Sequence, residues 1–368
     1  MGKVTTPPVS SASPQNRTIR WGILGTGRIA GSFAEGLRSV PDAALVSVGS
    51  RTHASATQFA ARFAIPNAYG SYRELAEDPN VDVVYIATPN SRHKEDCLRC
   101  IDAGKAVLCE KPLAMNQVEA QEIVDRARGK GVFLMEAMWM RFIPLIQKAR
   151  EILRAGEIGK PCWLFADFGY PVDPDPRGRF LNLELGGGSL LDRGVYPLSL
   201  AYFLFGEPDE ITGQATMSAT GVDEQSVALL KYREGPQAVL TSTMQTFGTN
   251  RATVIGTHGQ IEIEAPFFQT TRISVTRFPA PPPRPSSARP IASSSFRDSA
   301  LLRSLRRCKR AVDRLRDKDP NRVVYAVPLE GNGYNYEAAE VGKCLRAASL
   351  ESPLMPGAES VAISKASG

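Results

Sequence analysis

In the first 140 residues, short apolar runs alternate with stretches whose apolar positions recur every three or four residues. The runs 19–26 (IRWGILGT), 44–50 (ALVSVGS), 81–88 (VDVVYIAT), 106–112 (AVLCEKP) and 132–140 (VFLMEAMWM) predict buried strands. Segments 28–38, 54–63, 94–104 and 116–131 predict helices. Ile29, Phe33 and Leu37 share one face of the first, and Asn116 is a good N-cap for the last. Strands alternating with helices of about 10–15 residues define βαβ units and a parallel sheet.

After about residue 145 the rhythm changes. A helix over 145–155 ends at Gly156, and strand-like stretches follow at 163–170, 210–217, 226–233, 238–246, 251–257 and 259–265, joined by short Gly-containing links. Helices are expected at 195–205 (VYPLSLAYFLF) and 335–348 (NYEAAEVGKCLRAA). This half reads as α+β with an open, mostly antiparallel sheet. The 368 residues thus divide into a polar, flexible tail (1–18), an α/β domain (19–144) and an α+β domain (145–368). Residues 279–297 are Pro/Ser-rich and expected to be disordered or extended. Residues 298–317 predict a basic helix with Leu301, Leu305, Cys308, Val312 and Leu315 on one stripe, making 279–320 an insert.

Composition changes the picture in two places. The net charge of +6 is concentrated: Arg277 to Arg322 holds 13 Lys/Arg and 4 Asp/Glu, so the rest of the chain is at −3. The basic stripe therefore says little about ligands of the core. It is expected to dock on the sheet, with a subunit, nucleic-acid or anionic-membrane contact as alternatives. Six cysteines in a chain this long do not make a disulfide scaffold and point to a reduced, cytoplasmic setting. Cys97 and Cys100 have no companion pair at metal-ligand spacing and are expected to pack as small apolar groups, with no metal. No run approaches the ~18 apolar residues of a membrane span, and the N-terminus lacks the apolar core of a secretory signal.

Five motifs carry chemistry. Gly25-Thr26-Gly27-Arg28-Ile29-Ala30 sits between the first strand and first helix. The glycines permit a tight turn and close approach of a pyrophosphate, and the helix N-terminus offers free N–H groups, so a Rossmann-type dinucleotide site is expected. Ser50-Arg51 closes the second strand where an NAD site usually has a carboxylate for the ribose hydroxyl; a hydroxyl and a guanidinium there favour the 2′-phosphate of NADP over NAD. Thr88, Pro89 and Asn90 end the third strand and are expected to line the cofactor together with His93, which is also expected to cap the next helix. Glu110-Lys111-Pro112 ends the fourth strand, where a cis X-Pro bond would aim Lys111 into the cleft. Finally, Asp192 and Tyr196 follow the run Gly186–Gly188 at a spacing of four, which one helical face can carry. Oxidation of an alcohol needs a base for the hydroxyl proton. Tyr196 is the expected acid/base, Lys111 the cation that lowers its pKa, and Asp192 the orienting acceptor.

These motifs, with EAMWMRFIP (136–144) and GTHGQIEIE (256–264), resemble the glucose–fructose oxidoreductase / inositol dehydrogenase superfamily over 19–278 and 323–357. Tyr196, where many members carry His, places the resemblance nearest the dihydrodiol dehydrogenase / NADP-dependent D-xylose 1-dehydrogenase branch. The resemblance implies an NADP-dependent oxidoreductase acting on a hydroxyl of a monosaccharide or cyclic polyol, with Lys111 and Tyr196 as catalytic pair. It implies that Trp139, Arg141 and Arg179 lie near substrate and nicotinamide. It also implies homodimers formed through the open face of the second sheet. A ketoreductase of modified or nucleotide-linked sugars and a catalytically silent NADP(H) sensor are the alternative readings. Three features depart from the branch: Arg193 replaces an apolar residue and is expected to alter the pocket or form an ion pair, the insert has no counterpart, and the chain stops at SVAISKASG, short of the usual last helix, which is expected to weaken second-domain packing.

Overall fold

The computed structural model describes residues 17–279 and 320–367. Residues 1–16 of the tail, most of the insert and the whole predicted basic helix lie outside the described residues.

The first domain forms because its apolar runs can be covered on both faces only by crossover helices. Strands β1 (Ile19–Leu24), β2 (Ala43–Gly49), β3 (Asn67–Tyr69), β4 (Val83–Ile86), β5 (Ala106–Glu110) and β6 (Leu134–Ala137) make one parallel sheet in the order β3-β2-β1-β4-β5-β6. Helices α1 (Arg28–Leu37), α2 (His53–Phe63), α3 (Tyr72–Glu77), α4 (His93–Asp102) and α5 (Gln117–Lys130) are its crossovers. Alternation along β4 assigns the two faces. Val83 and Tyr85 enter a core that runs on into the second domain, whereas Val84 and Ile86 pack in a separate cluster with Cys97, Cys100 and Cys109. The strand order reverses between β1 and β4, which opens a crevice at their carboxyl ends.

The second domain begins with α6 (Pro144–Arg154). Its eight-stranded sheet has the order β14-β13-β12-β11-β7-β10-β9-β8 and is antiparallel except where β7 (Pro161–Gly169) meets β10 (Gln237–Thr243). The other strands are β8 (Glu210–Met217), β9 (Asp223–Lys231), β11 (Ala252–Gly256), β12 (Gly259–Ile263), β13 (Arg272–Arg277) and β14 (Arg322–Ala326). Helix α7 (Val195–Phe205) is apolar nearly all round, and its first ten residues are buried. Two more helices, α8 (Tyr334–Arg346) and α9 (Gly357–Ser367), complete the described fold. No described helix is long and apolar enough to cross a membrane.

Three expectations change. The predicted strand 132–140 stops at Ala137, and Trp139–Phe142 form a 3-10 turn that carries the chain out of the sheet. A helix that the pattern did not predict, α9, lies at the end of the described chain; it buries Val361 and Ile363 and packs against α5, α7 and β6. Helix α8 likewise returns to the first domain and lies on α1, where Asn332 Nδ2 donates to the Ser32 carbonyl at 2.7 Å. The C-terminal segment thus straps the two domains together and does not belong to the second alone.

Candidate active site

The crevice at the end of β1 is built by close approach. Gly25 has φ +107°, and a Cβ on it would lie 2.8 Å from the carbonyl oxygen of Ala87, so only glycine lets the two loops meet. Gly27 is the N-cap of α1 and offers no side-chain cap; a Cβ there would meet nothing within 4 Å, and the first turn carries no acidic residue. The first-turn N–H groups are therefore open to a phosphate. Ser50 lies across from Thr26, with the two hydroxyl oxygens 3.3 Å apart, and Arg51 is exposed beside it.

These residues line a cleft of about 510 Å³ with Arg28, Ile29, Thr88, Pro89, Asn90, Glu110, Lys111, Arg179, Asp192 and Tyr196, so most of the expected site residues converge. Thr88 donates to the Asp96 carboxylate at 2.9 Å, and Asn90 reaches over the domain seam to the Gly186 carbonyl at 2.9 Å. The Lys111–Pro112 peptide is cis, as expected from the sequence. The Lys111 ammonium donates to the carbonyl of Asp192 at 2.6 Å, lies 3.5 Å from its carboxylate and sits 4.7 Å from the centre of the Tyr196 ring.

Asp192 is in a wide π-helical turn, Leu190–Gly194, that precedes α7, and not within a regular helix. Burial opposes its ionisation. Lys111, Arg179 and Arg193 outweigh that burial and hold the carboxyl below the usual carboxylate range. Arg179 Nη2 donates to Oδ1 at 3.0 Å. Arg193 does form the expected ion pair, with Nε 3.7 Å from Oδ2, and its Nη1 donates to the carbonyls of Tyr170 and Thr243, pinning the turn to the ends of β7 and β10.

Tyr196 is buried, and its hydroxyl accepts from Trp139 Nε1 at 2.9 Å. The chain's own groups push its phenol well above the usual value: burial first, then the Glu110 carboxyl and Asp192, against the lowering effect of the Trp139 donor. The expected lowering by Lys111 is thus not supplied by the protein alone, because the ring is removed from water and carboxyls lie behind it.

Three expected site residues do not line the cleft. Arg141 is fully buried; its guanidinium donates to Ser199 Oγ at 2.7 Å, to the carbonyls of Ser199 and Leu354, and to Glu359 at 2.6 Å. It fastens α9 to α7 because a buried guanidinium must find acceptors on every side. His93 is also buried, with its two ring nitrogens bridging the carbonyls of Pro112 at 2.7 Å and Thr88 at 3.0 Å. It braces the loops and does not cap α4. Trp139 stands behind Tyr196 and touches the site through that residue and through Tyr334.

The cleft also includes residues that sequence reasoning missed: Tyr72, Phe168, Leu185 and Tyr334. A signal existed for Tyr72. Ser71 and Glu74 have the spacing of a capping box, and Ser71 Oγ accepts from the Glu74 N–H at 3.2 Å, which marks the start of α3 beside the second strand. No local signal marks Tyr334, which arrives from α8 and stacks on Trp139 with ring centres 5.2 Å apart. One turn on, Glu337 is completely buried, and neither carboxyl oxygen has a hydrogen-bond partner among the described residues.

Comparison with known proteins identifies the class. The profile of the oxidoreductase family with an NAD-binding Rossmann fold matches residues 19–138, and that of the GFO/IDH/MocA C-terminal domain matches 146–262. The chain is 38% identical over 347 residues to the trans-1,2-dihydrobenzene-1,2-diol dehydrogenase of Mus musculus, covering 93% of this chain and 92% of that one. It is 40% identical over 273 residues to the enzyme of that name from Danio rerio, covering 72% and 81%. Its fold resembles an aldose–aldose oxidoreductase from Caulobacter crescentus complexed with glycerol (TM-score 0.76, 22% identity, 95% of each chain). It also resembles a 3-ketoreductase from Actinomadura kijaniata in complex with NADP and TDP-benzene (TM-score 0.74, 24% identity, 95% of each chain). The protein is an oxidoreductase of the dehydrogenase type. It belongs to the GFO/IDH/MocA family.

Burial first, and the Glu110 carboxyl second, push Glu337 well above the usual carboxyl range. The folded state therefore keeps a proton that the unfolded chain releases, and stability falls as pH rises above about 4.3, by at most about 1.4 kcal/mol per pH unit for this group. Urea denaturation between pH 5 and 8 is expected to show that decline, and Glu337→Gln should flatten it; an unchanged slope in the variant would contradict the assignment.

Proposed function

We propose that the protein is an NADP-dependent dehydrogenase that moves a hydride between the nicotinamide and a hydroxyl-bearing carbon of a monosaccharide or cyclic diol. The observation that carries the reading is the convergence of Lys111, Asp192 and Tyr196 in the same cleft as the open N-terminus of α1. The dihydrodiol dehydrogenase names of its relatives support it.

The residues fit the cofactor. Gly25, Gly27 and the first turn of α1 would hold the pyrophosphate; Ser50 and Arg51 would hold a 2′-phosphate, and β2 ends without the carboxylate that an NAD ribose would need. When bound, the nicotinamide supplies the hydride acceptor and, in its oxidised form, a positive charge. The phenol oxygen of Tyr196 takes the proton of the substrate hydroxyl in oxidation and returns it in reduction. Lys111, held at the Asp192 carbonyl and over the Tyr196 ring, stabilises the developing phenolate. Asp192 fixes the ammonium, and Trp139 fixes the phenol through the hydrogen bond its oxygen accepts.

Two further properties belong to this reading. A reducing, cytoplasmic setting is supported by the free thiols of Cys97, Cys100, Cys109, Cys162 and Cys344. A homodimer through the outer face of the second sheet is supported by an apolar row: Phe165, Val239 and Leu229 lie side by side across β7, β10 and β9, and the exposed Trp163 stacks on Phe165 at 5.7 Å.

Tyr196→Phe is expected to lower turnover of a sugar or diol substrate at least about 100-fold, while the dissociation constant for NADPH changes less than about threefold; wild-type turnover in this variant would refute the acid/base role. Titration followed by nicotinamide fluorescence should show tighter binding of NADPH than of NADH, a preference that Arg51→Glu reverses; equal binding would remove the 2′-phosphate reading. Sedimentation should give a dimer that Phe165→Glu converts to monomer, and a monomeric wild type would exclude the sheet-face contact.

A further inference from the structure

Asp192 is a single carboxylate shared by three cations. Arg179 Nη2 is 3.0 Å from Oδ1, Lys111 Nζ 3.5 Å from the same oxygen, and Arg193 Nε 3.7 Å from Oδ2. Against this cluster lie the Tyr196 phenol, which is neutral while it keeps its proton, and the carboxyl of Glu110, which accepts from the Tyr85 hydroxyl and from the Lys111 N–H. Lys111 and Arg179 would balance Asp192 and Glu110. Arg193 tips that balance, leaving one positive charge even with Glu110 fully ionised and two with Glu110 protonated.

The three cations differ in what they have left to offer. Arg193 is buried and committed to the carbonyls of Tyr170 and Thr243. Lys111 is committed to the Asp192 carbonyl, and its side chain is 11% exposed. Arg179 lines the cleft with a side chain 49% exposed, its guanidinium lying 4.3 Å from the centre of the Phe180 ring. A guanidinium has five N–H donors in a planar fork. The bond to Asp192 uses one of them, and stacking on Phe180 fixes the plane of the rest.

A neutral polyol can take hydrogen bonds from such a group and leaves the surplus charge unmatched. An anion takes both, and a charge-assisted, two-pronged contact with arginine is much stronger than a neutral one. We propose that the substrate of this cleft carries an anionic group, a carboxylate or phosphate, which Arg179 holds while Arg193 supplies the charge behind it. This proposal deepens the dehydrogenase reading and rests on it for the identity of the cleft as a substrate site.

The test uses the full-length protein saturated with NADP, so that the cofactor's own phosphate sites are filled. Binding of D-glucuronate, D-glucose 6-phosphate and D-glucose is followed by calorimetry and thermal shift, and NADP reduction is followed in parallel. One of the two anions should bind at least tenfold more tightly than glucose, and the preference should shrink as ionic strength rises. Which anion wins separates a planar carboxylate from a phosphate. Arg179→Gln should lower the anion-to-glucose ratio at least tenfold, and Arg179→Lys should restore part of it. Arg193→Leu should lower the ratio in the same direction. An anion-to-glucose ratio near one in the wild type, or a ratio unmoved by Arg179→Gln, overturns the proposal. Salt-sensitive anion preference with no NADP reduction by any sugar leaves the anion site standing and overturns the dehydrogenase reading; turnover of neutral aldoses with no anion preference does the reverse.

Discussion

The ammonium of Lys111 joins the two domains inside the cleft. The residue belongs to the end of β5 in the parallel sheet, yet its partners, the Asp192 carbonyl and the face of Tyr196, belong to the second domain. The distance between the dinucleotide loops and the phenol therefore depends on this contact. It is a half-buried charge in a seam, and such a charge persists where acceptors surround it. The turn Leu190–Gly194 supplies a carbonyl and a carboxylate together, which a regular helix would not present from consecutive atoms of one residue.

The rest of the seam keeps that contact in register. Asn90 bonds to Gly186, Arg141 ties α7 to α9, and Asn332 bonds back to α1. Each such bond contributes only about 1 kcal/mol net. The apolar core that runs without a break from Trp21 and Tyr85 through Trp139 to Phe267 supplies most of the adhesion, and the polar contacts select one alignment of it. The straps α8 and α9 matter for this reason: they cover the seam and bring Tyr334 to the cleft.

Burial sorts the ionisable groups by their partners. Asp192, facing three cations, is held ionised, whereas Glu110, Glu136 and Glu337 are pushed toward the protonated form by removal from water. Tyr196 lies between these two environments. Burial and the nearby carboxyls push its phenol well above the usual value, against the lowering effect of the Trp139 donor.

Much of this was readable along the chain. Gly25 and Gly27 between a strand and a helix, Ser50-Arg51 at the end of β2 and the Lys111, Asp192 and Tyr196 motifs all declare themselves, because backbone geometry and charge demand particular residues at particular spacings. The strand–helix alternation determined the parallel sheet, since period and length decide which faces must be covered. Adjacency in sequence did not reveal side-chain direction. Arg141 lies two residues from Trp139, but the 3-10 turn that replaces the expected strand end sends it into the core. His93 faces two carbonyls, not the cleft. Tyr334, Arg193's carbonyl partners and the burial of Glu337 depend on segments far apart in the chain. Local propensity determined the elements and the loops that carry chemistry. Only the packing of the two domains decided which side chains reach the cleft and what charge they carry there, because burial and cross-domain partners do not exist until the chain is folded.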